Sequence, residues 1–217
     1  MGGLSAVTER IVRYHEGRAP DLLDRKYAAM AASPFAFYRG NCQLFVDAWP
    51  VRSALNDAPA VWSCGDLHFE NLGCYKGDNR LVYFDLNDFD EAALLPVSWD
   101  VTRFAASVLV GAPGLRAGAG FVLRELQPLQ DRMRMESWGG DIGNLRDAMT
   151  TMGHVTAWAA LRASGRQGSA IADDLIAFAN ERGWRRAVLA MARRVAGRTL
   201  VEWREFSADV KSGALSG

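Results

Sequence analysis

The chain has 217 residues and a mass of 23.8 kDa, enough for one large domain or two small ones. Apolar residues make up 49% and charged residues 23%, which is ordinary globular composition and excludes an intrinsically disordered chain. Basic and acidic residues each number 25, so the formal net charge is zero. We therefore expect no nucleic-acid partner and no polybasic contact with a membrane.

The N-terminal part of the chain predicts helices. The segments are residues 5–17, with Ser5 or Thr8 as N-cap, a stretch from Pro20 to its end at Ser33-Pro34, and residues 41–49. Proline suits the first turn of a helix, because its missing N–H would have no partner there.

Two strands follow in the prediction, and then mostly helix. Residues 60–64 (AVWSC) and 81–85 (LVYFD) are short apolar runs, and Lys76–Asn79 between them has turn chemistry. We therefore expect a hairpin formed by these two strands. The remaining elements are a helix from Ser98, a Gly-rich junction at 111–120, a lone strand at 120–126 and three helices after Gly143.

Cysteine usage and the N-terminus bear on the compartment. Cys42, Cys64 and Cys74 are odd in number and have no C-x-x-C spacing, which argues against a disulfide framework or a zinc knuckle. The first 17 residues hold no apolar core of a secretory signal. No run of about 18 apolar residues occurs. We expect a cytoplasmic protein with reduced thiols and no membrane contact.

The zero net charge conceals an acidic segment. Residues 65–100 hold eight acidic residues and two basic ones. Like charges held together in a fold repel each other, and a bound cation is one reason to keep them.

Three residues in this segment have the spacing expected of a metal site. Asp66 and Asn71 follow the first predicted strand, and Asp85 ends the second. Oxygen ligands that converge from two loops suit Mg²⁺ together with phosphate oxygens and water. A remaining aspartate could then orient or deprotonate a hydroxyl nucleophile. The alternative for each is a solvated loop; for His68 it is a capping hydrogen bond, and for Asp100 an N-cap or a brace for the loop.

The same segment carries a family resemblance. GDLHFENLG, a strand and FDLNDFDEA resemble the catalytic core of kinase-like small-molecule phosphotransferases such as aminoglycoside and choline kinases. SPFAFYRG, CGDLHFENLG, FDLNDFDEA, SWDVTRFAAS and AWAALRASGRQGSAIADDLIAFA are more closely similar to an uncharacterised bacterial domain family of the protein-kinase-like superfamily. This second resemblance covers most of the chain.

The resemblance implies roles for particular residues. Asp66 matches the catalytic-loop base, with His68 beside it in the same motif, and Asn71 matches a metal ligand. Asp85 matches the metal-binding aspartate, with Asp88 as its rival. Asp100 matches a helix aspartate that braces the loop. A phosphate contact by Arg39, in SPFAFYRG, is a guess about a motif whose role in the family is unknown.

Parts of the kinase pattern are missing. Kinase chemistry uses a Gly-rich phosphate loop and a strand lysine. Only Lys26, Lys76 and Lys211 occur, none in such a strand, and no G-x-G-x-x-G is present. We expect an internal deletion near residues 111–120 that removed most of the nucleotide lobe. Arg124 is a candidate replacement for the lysine, although the two cations are not interchangeable.

The sequence thus predicts one α+β, mostly helical domain over residues 1–217, a kinase-like C-lobe in which a small β-hairpin carries the catalytic-type loop and the nucleotide lobe is truncated. Its expected parts are N-terminal helices (1–59), catalytic-type loop, hairpin and helix (60–110), junction and hinge-like strand (111–142) and C-terminal helices (143–217).

Three functions remain open. They are a phosphotransferase, weakened or inactive in this short form, a non-catalytic pseudokinase-like binding module, and a metal-dependent phosphohydrolase. The resemblance implies Mg²⁺ and ATP as cofactors, and the missing lysine and glycine loop argue against ATP. The acceptor is an unknown small molecule or protein. A truncated lobe would expose apolar surface, which a homodimer could cover.

Overall fold

The computed structural model describes residues 3–111 and 142–215. They fall into two compact units. The first unit combines residues 1–49 with residues 193–217, and the second comprises residues 50–192.

The described ranges form helices and two small antiparallel strand pairs, an α+β and mostly helical composition as predicted. The helices are α1 Ala6–Tyr14, α2 Pro20–Ala32, α3 Pro34–Gly40, α4 Cys42–Ala48, α5 Val97–Gly111, α6 Ile142–Arg162, α7 Ala172–Asn180 and α8 Gly183–Lys211. The strands are β1 Ala60–Ser63, β2 Leu72–Lys76, β3 Val82–Leu86 and β4 Ala93–Pro96, with a 3₁₀ turn at Phe69–Asn71.

The first unit is a helical bundle closed by the C-terminal part of α8. Its core cluster is Val7, Ile11, Tyr27, Met30, Phe37, Leu44 and Phe206. The ring of Phe206 lies 5.4 Å from Phe37 and 5.8 Å from Tyr27, centroid to centroid. The indole Nε1 of Trp203 donates to the carbonyl of Ala31 at 3.2 Å. The N-terminal helices therefore bury their apolar faces against residues near the other end of the sequence.

Three predicted N-terminal helices are confirmed as α1, α2 and α4, and α3 was missed. Ser33 ends α2 with extended backbone, as predicted, but it also begins α3. Its Oγ accepts from the N–H of Ala36 at 3.1 Å, and Pro34 occupies the first helical position. A Ser-Pro pair can end one helix and begin the next, because serine caps and proline needs no partner there.

The expected hairpin between the first two predicted strands is wrong. Strand β1 pairs with β4, Ala60 opposite Pro96, whereas β3 pairs with β2, Leu86 opposite Leu72. The predicted turn is real, but it joins β2 to β3; Gly77 N–H donates to the Leu81 carbonyl at 2.9 Å. Glycine early in β2 and proline at the end of β4 weakened the strand signal in the sequence.

The later helices are confirmed where the structure describes them. Helix α5 directly follows β4, and α6, α7 and α8 are the three predicted C-terminal helices. The predicted Gly-rich junction and the lone strand at 120–126 lie outside the described residues.

Cys42, Cys64 and Cys74 form no disulfide with one another. In the described ranges, none of the helices combines the length and the apolar character needed to cross a lipid bilayer.

Candidate functional site

Asp100 ties the start of α5 to the loop that leaves β1. Its carboxylate accepts from Ser63 Oγ at 2.6 Å and from Cys64 N–H at 3.1 Å. Trp99 adds an indole Nε1 hydrogen bond of 2.8 Å to the Gly65 carbonyl. Asp100 is almost completely buried, so these donors replace the water that burial removes. The arrangement is that of a brace for the loop.

Burial at this brace disfavours negative charge. It raises the pKa of Asp100, and the hydrogen bonds from Ser63, Cys64 and Gly65 oppose that rise. It also raises the pKa of the Cys64 thiol, helped by the negative charge of Asp100. Cys64 is therefore a buried thiol whose surroundings disfavour the thiolate.

Asp66 follows Gly65 and forms an ion pair with Arg103 of α5. Nε of Arg103 donates to Oδ1 of Asp66 at 2.5 Å, and Nη2 lies against the same oxygen. Burial raises the pKa of Asp66, Arg103 opposes this, and the negative charges of Glu91 and Asp88 add to it. The loop after β1 and the acidic loop after β3 are therefore electrostatic neighbours.

His68 and Asn71 bracket the 3₁₀ turn between Asp66 and β2. Nδ1 of His68 accepts from the N–H of Glu70 at 3.2 Å, so the ring caps the turn. Asn71 is buried, and its Oδ1 has no hydrogen-bond partner among residues 3–111 and 142–215. Its backbone carbonyl accepts from Asn87 N–H at 3.0 Å, which joins this turn to the end of β3.

Asp85 lies on β3 directly opposite Gly73. Asn71 ends the 3₁₀ turn directly before β2, so it lies two residues from the position that faces Asp85. Oδ1 of Asp85 accepts from Leu86 N–H at 2.9 Å, and Oδ2 accepts from Nη2 of Arg162 at 2.5 Å. Arg162 ends α6, so this helix supplies the positive charge nearest Asp85.

The acidic loop after β3 is held close to the loop after β1. Gly65 has φ +81°, and a Cβ there would lie 2.0 Å from the carbonyl oxygen of Glu91. Asp88 is exposed, and its Oδ1 accepts from Asp90 N–H at 3.4 Å. Across residues 3–111 and 142–215, no three His, Cys, Asp or Glu side chains are grouped to enclose a metal ion.

The structure brings some of the predicted site residues together and places others elsewhere. The loop after β1 and the β2–β3 hairpin bring Asp66, His68, Asn71 and Asp85 into one region, with Asp100 beneath the loop and Asp88 on the exposed loop beyond β3. Arg39 is exposed at the end of α3, in the first unit. Arg124 lies outside the described residues.

Sequence reasoning missed the two arginines that bind the candidate carboxylates. Arg103 is fully buried on α5, and Arg162 is exposed at the end of α6. The sequence held one signal for Arg103: it stands one turn after Asp100 within the apolar stretch of α5. The sequence held no signal for Arg162, since it lies 77 residues from Asp85.

One protein family matches the chain. The model of a family described as "Uncharacterized protein conserved in bacteria (DUF2252)" matches residues 18–119 and residues 111–209. The two matched segments overlap at residues 111–119. No curated protein and no solved structure matches the chain.

Proposed function

Because the chain belongs to the family of uncharacterized proteins conserved in bacteria (DUF2252), we propose that it is a kinase-like phosphotransferase-type module with a Mg²⁺-binding loop and weak or absent phosphoryl transfer. The observation that carries this proposal is the buried, unpartnered Oδ1 of Asn71 beside the Asp85 strand. Buried polar atoms in proteins are almost always hydrogen-bonded or bound to an ion.

The donor set fits magnesium. Mg²⁺ is bound through one or two carboxylates and keeps waters or phosphate oxygens in its other positions, so a cage of three acidic side chains is not required. Asn71 and Asp85 would hold the ion. When bound, it would neutralise the phosphate oxygens of a substrate. Asp88 is a weaker candidate ligand, because its side chain lies on the exposed loop.

Asp66 suits the role of positioning a hydroxyl. Nε and Nη2 of Arg103 both contact Oδ1 of Asp66, and this fixes the orientation of the carboxylate. Burial raises the pKa of this carboxyl, which makes the carboxylate a better proton acceptor. His68 uses Nδ1 to cap the 3₁₀ turn and would act by shaping the loop that carries Asp66.

Three features support weak or absent transfer. Arg162 neutralises Asp85 and competes with a metal for its oxygens. In addition, none of the chain's three lysines lies in the loop between β1 and β2 or in the loop after β3: Lys26 on α2 contacts His15, Lys76 is the last residue of β2, and Lys211 is the last residue of α8. The overlap of the two family matches at 111–119 coincides with the deletion expected from the sequence. The second candidate, a non-catalytic pseudokinase-like binding module, is favoured by the same Arg162–Asp85 pair.

Calorimetric titration with Mn²⁺ or Mg²⁺ tests the metal site. We expect binding in the wild type that Asp85→Asn and Asn71→Ala each weaken by about tenfold or more, because each removes one of two protein ligands. Asp78→Asn, in the exposed turn between β2 and β3, is the matched control and should bind like the wild type. Absence of binding heat in the wild type would contradict the site.

A second measurement separates the candidates. The melting temperature is measured with and without Mg-ATP. We expect a negligible shift, because the lysine and the Gly-rich loop that bind ATP in kinases are missing. If ATP did bind, a concentration of 100 times its Kd would add about 2.7 kcal/mol to the unfolding free energy and would raise the melting temperature by several degrees. A rise of that size would show that ATP binds and would contradict weak nucleotide binding. The acceptor would remain a small molecule or a protein.

A further inference from the structure

A cavity of about 490 Å³ lies beside the candidate site, within the second unit. Its walls are apolar: Val61 on β1, Leu86 at the end of β3, Phe89 on the acidic loop and Ala160 on α6 contribute to them. This volume is in the range of small-molecule pockets. The small alanine side chains of α6 leave the space open.

Two arginines are among the residues that line this cavity. Arg162 and Arg166 both line it, together with Gln167. The acid in the lining, Asp100, has its carboxylate oxygens engaged by Ser63 and Cys64. An apolar cavity with two arginines among its lining residues suits a ligand with an apolar body and one anionic group.

The loop that carries Arg166 is fixed in place. The Ser169 hydroxyl donates within the loop, and Ala170 N–H donates to the Ala60 carbonyl of β1 at 2.8 Å. The indole of Trp62 donates to the Arg166 carbonyl at 3.3 Å. Gln167 adopts φ +46°, a left-handed conformation that is uncommon for a residue with a side chain. A strained residue on a tied loop at a cavity is typical of a binding site.

Arg162 belongs both to this cavity and to the Asp85 ion pair. We propose that the cavity binds an organic anion with an apolar body, and that the bound anion draws Arg162 away from Asp85 and so makes Asp85 available to a divalent cation. The second part of this proposal rests on the proposed function. Since coupling between two sites is reciprocal, the cation would also strengthen binding of the anion.

The fluorescent dye 8-anilinonaphthalene-1-sulfonate tests the cavity, because it joins an apolar body to one sulfonate. We expect Arg166→Gln to weaken its binding by about tenfold and the control Arg186→Gln, on α8 outside the cavity lining, to leave it unchanged. Ala160→Phe should abolish binding by filling the cavity. N-phenyl-1-naphthylamine, the dye without its sulfonate, should bind wild type and Arg166→Gln alike.

One outcome of the dye experiment would overturn the proposed cavity site. Equal dye binding by the wild type, Arg166→Gln and Ala160→Phe would overturn the cavity site; Arg166 is exposed, so its variant is expected to fold. Phenyl phosphate and phenylacetate distinguish a phosphate from a carboxylate ligand: displacement of the dye by either supports the site, and displacement by neither contradicts it.

The coupling is tested by Mn²⁺ titration with and without saturating dye. We expect the dye to raise the Mn²⁺ affinity of the wild type about fivefold and to have no effect in Arg162→Gln. Dye binding in the cavity with unchanged Mn²⁺ affinity would overturn the coupling alone. Dye binding without any Mn²⁺ binding would instead show that the proposed metal function is wrong, while the anion cavity stands.

Discussion

The Nε of Arg103 donates a 2.5 Å hydrogen bond to Oδ1 of Asp66, and the arginine side chain has no exposed surface. Asp66 keeps 19% of its side chain exposed. The pair therefore places a buried cation under a carboxylate that still reaches solvent. This arrangement orients the candidate base, and it makes each charge depend on the other, because an isolated buried charge is costly.

Arg103→Met is expected to lower the free energy of unfolding by about 3 kcal/mol, since it leaves Asp66 largely buried and without its cation. Urea denaturation measures the change. Adding Asp66→Asn to this variant should restore part of the loss. The control Arg198→Met removes a more exposed pair with Glu202 and should cost less than about 1 kcal/mol. Equal costs for both single variants would contradict the buried-pair account.

Gly65→Ala is expected to destabilise the second unit and displace the acidic loop. The new Cβ would meet the Glu91 carbonyl oxygen, and the backbone there has φ +81°. We expect a loss of at least about 2 kcal/mol in unfolding free energy and weaker Mn²⁺ binding. Gly153→Ala is the matched control: nothing lies within 4 Å of its Cβ on α6, and alanine favours helix by about 1 kcal/mol. A neutral Gly65→Ala would disprove the close approach.

Stability should fall in mild acid because of His15. Burial, with Lys26 and Arg18 nearby, lowers the pKa of His15 from 6.5 to about 4. Between those values the unfolded chain takes up a proton that the folded protein does not. The unfolding free energy therefore decreases as pH drops through that window, on the order of 2 kcal/mol.

The comparison that isolates this effect is wild type against His15→Gln. Denaturation at several pH values should show a difference that changes between pH about 6.5 and 4, whereas His154→Gln, altered at an exposed side chain of α6, should follow the wild type. The raised pKa values of Asp66 and Asp100 increase the unfolding free energy as pH falls, which is the opposite of the His15 effect. Both proteins contain these residues, so their contribution cancels when the two unfolding free energies are subtracted. Parallel profiles for wild type and His15→Gln would contradict the prediction.

Arg162→Gln is expected to tighten Mn²⁺ binding by about fivefold, because the guanidinium no longer competes for Oδ2 of Asp85. Calorimetry of both proteins without added anion measures this change. Arg186→Gln provides the control at another exposed arginine of the second unit. Weaker binding in Arg162→Gln would show that the arginine supports the cation site.

Local signals predicted helices well and strand pairing poorly. A capping serine marked α1 and a proline in the first turn marked α2, because these determinants act within a few residues. The partner of β1 was β4, some thirty residues on, and no local pattern encodes that choice. For the candidate site, the sequence placed Asp66, Asn71 and Asp85 in one region, but through a hairpin that the structure does not form. The cationic partners of Asp66 and Asp85 come from distant helices that only the tertiary structure brings near.

Helix α8 has a consequence for biosynthesis. Ser5 hydrogen-bonds to Asp209 at 2.6 Å, and Phe206 fills the core of the N-terminal bundle. During translation, the first 49 residues emerge well before these partners exist. The second unit can complete its contacts earlier than the first. The apolar faces of the N-terminal helices remain exposed until the C-terminal part of α8 has been synthesised. A chain that ends at residue 192 and has been released from the ribosome should thus be protected from protease in the second unit and cleaved within residues 1–49.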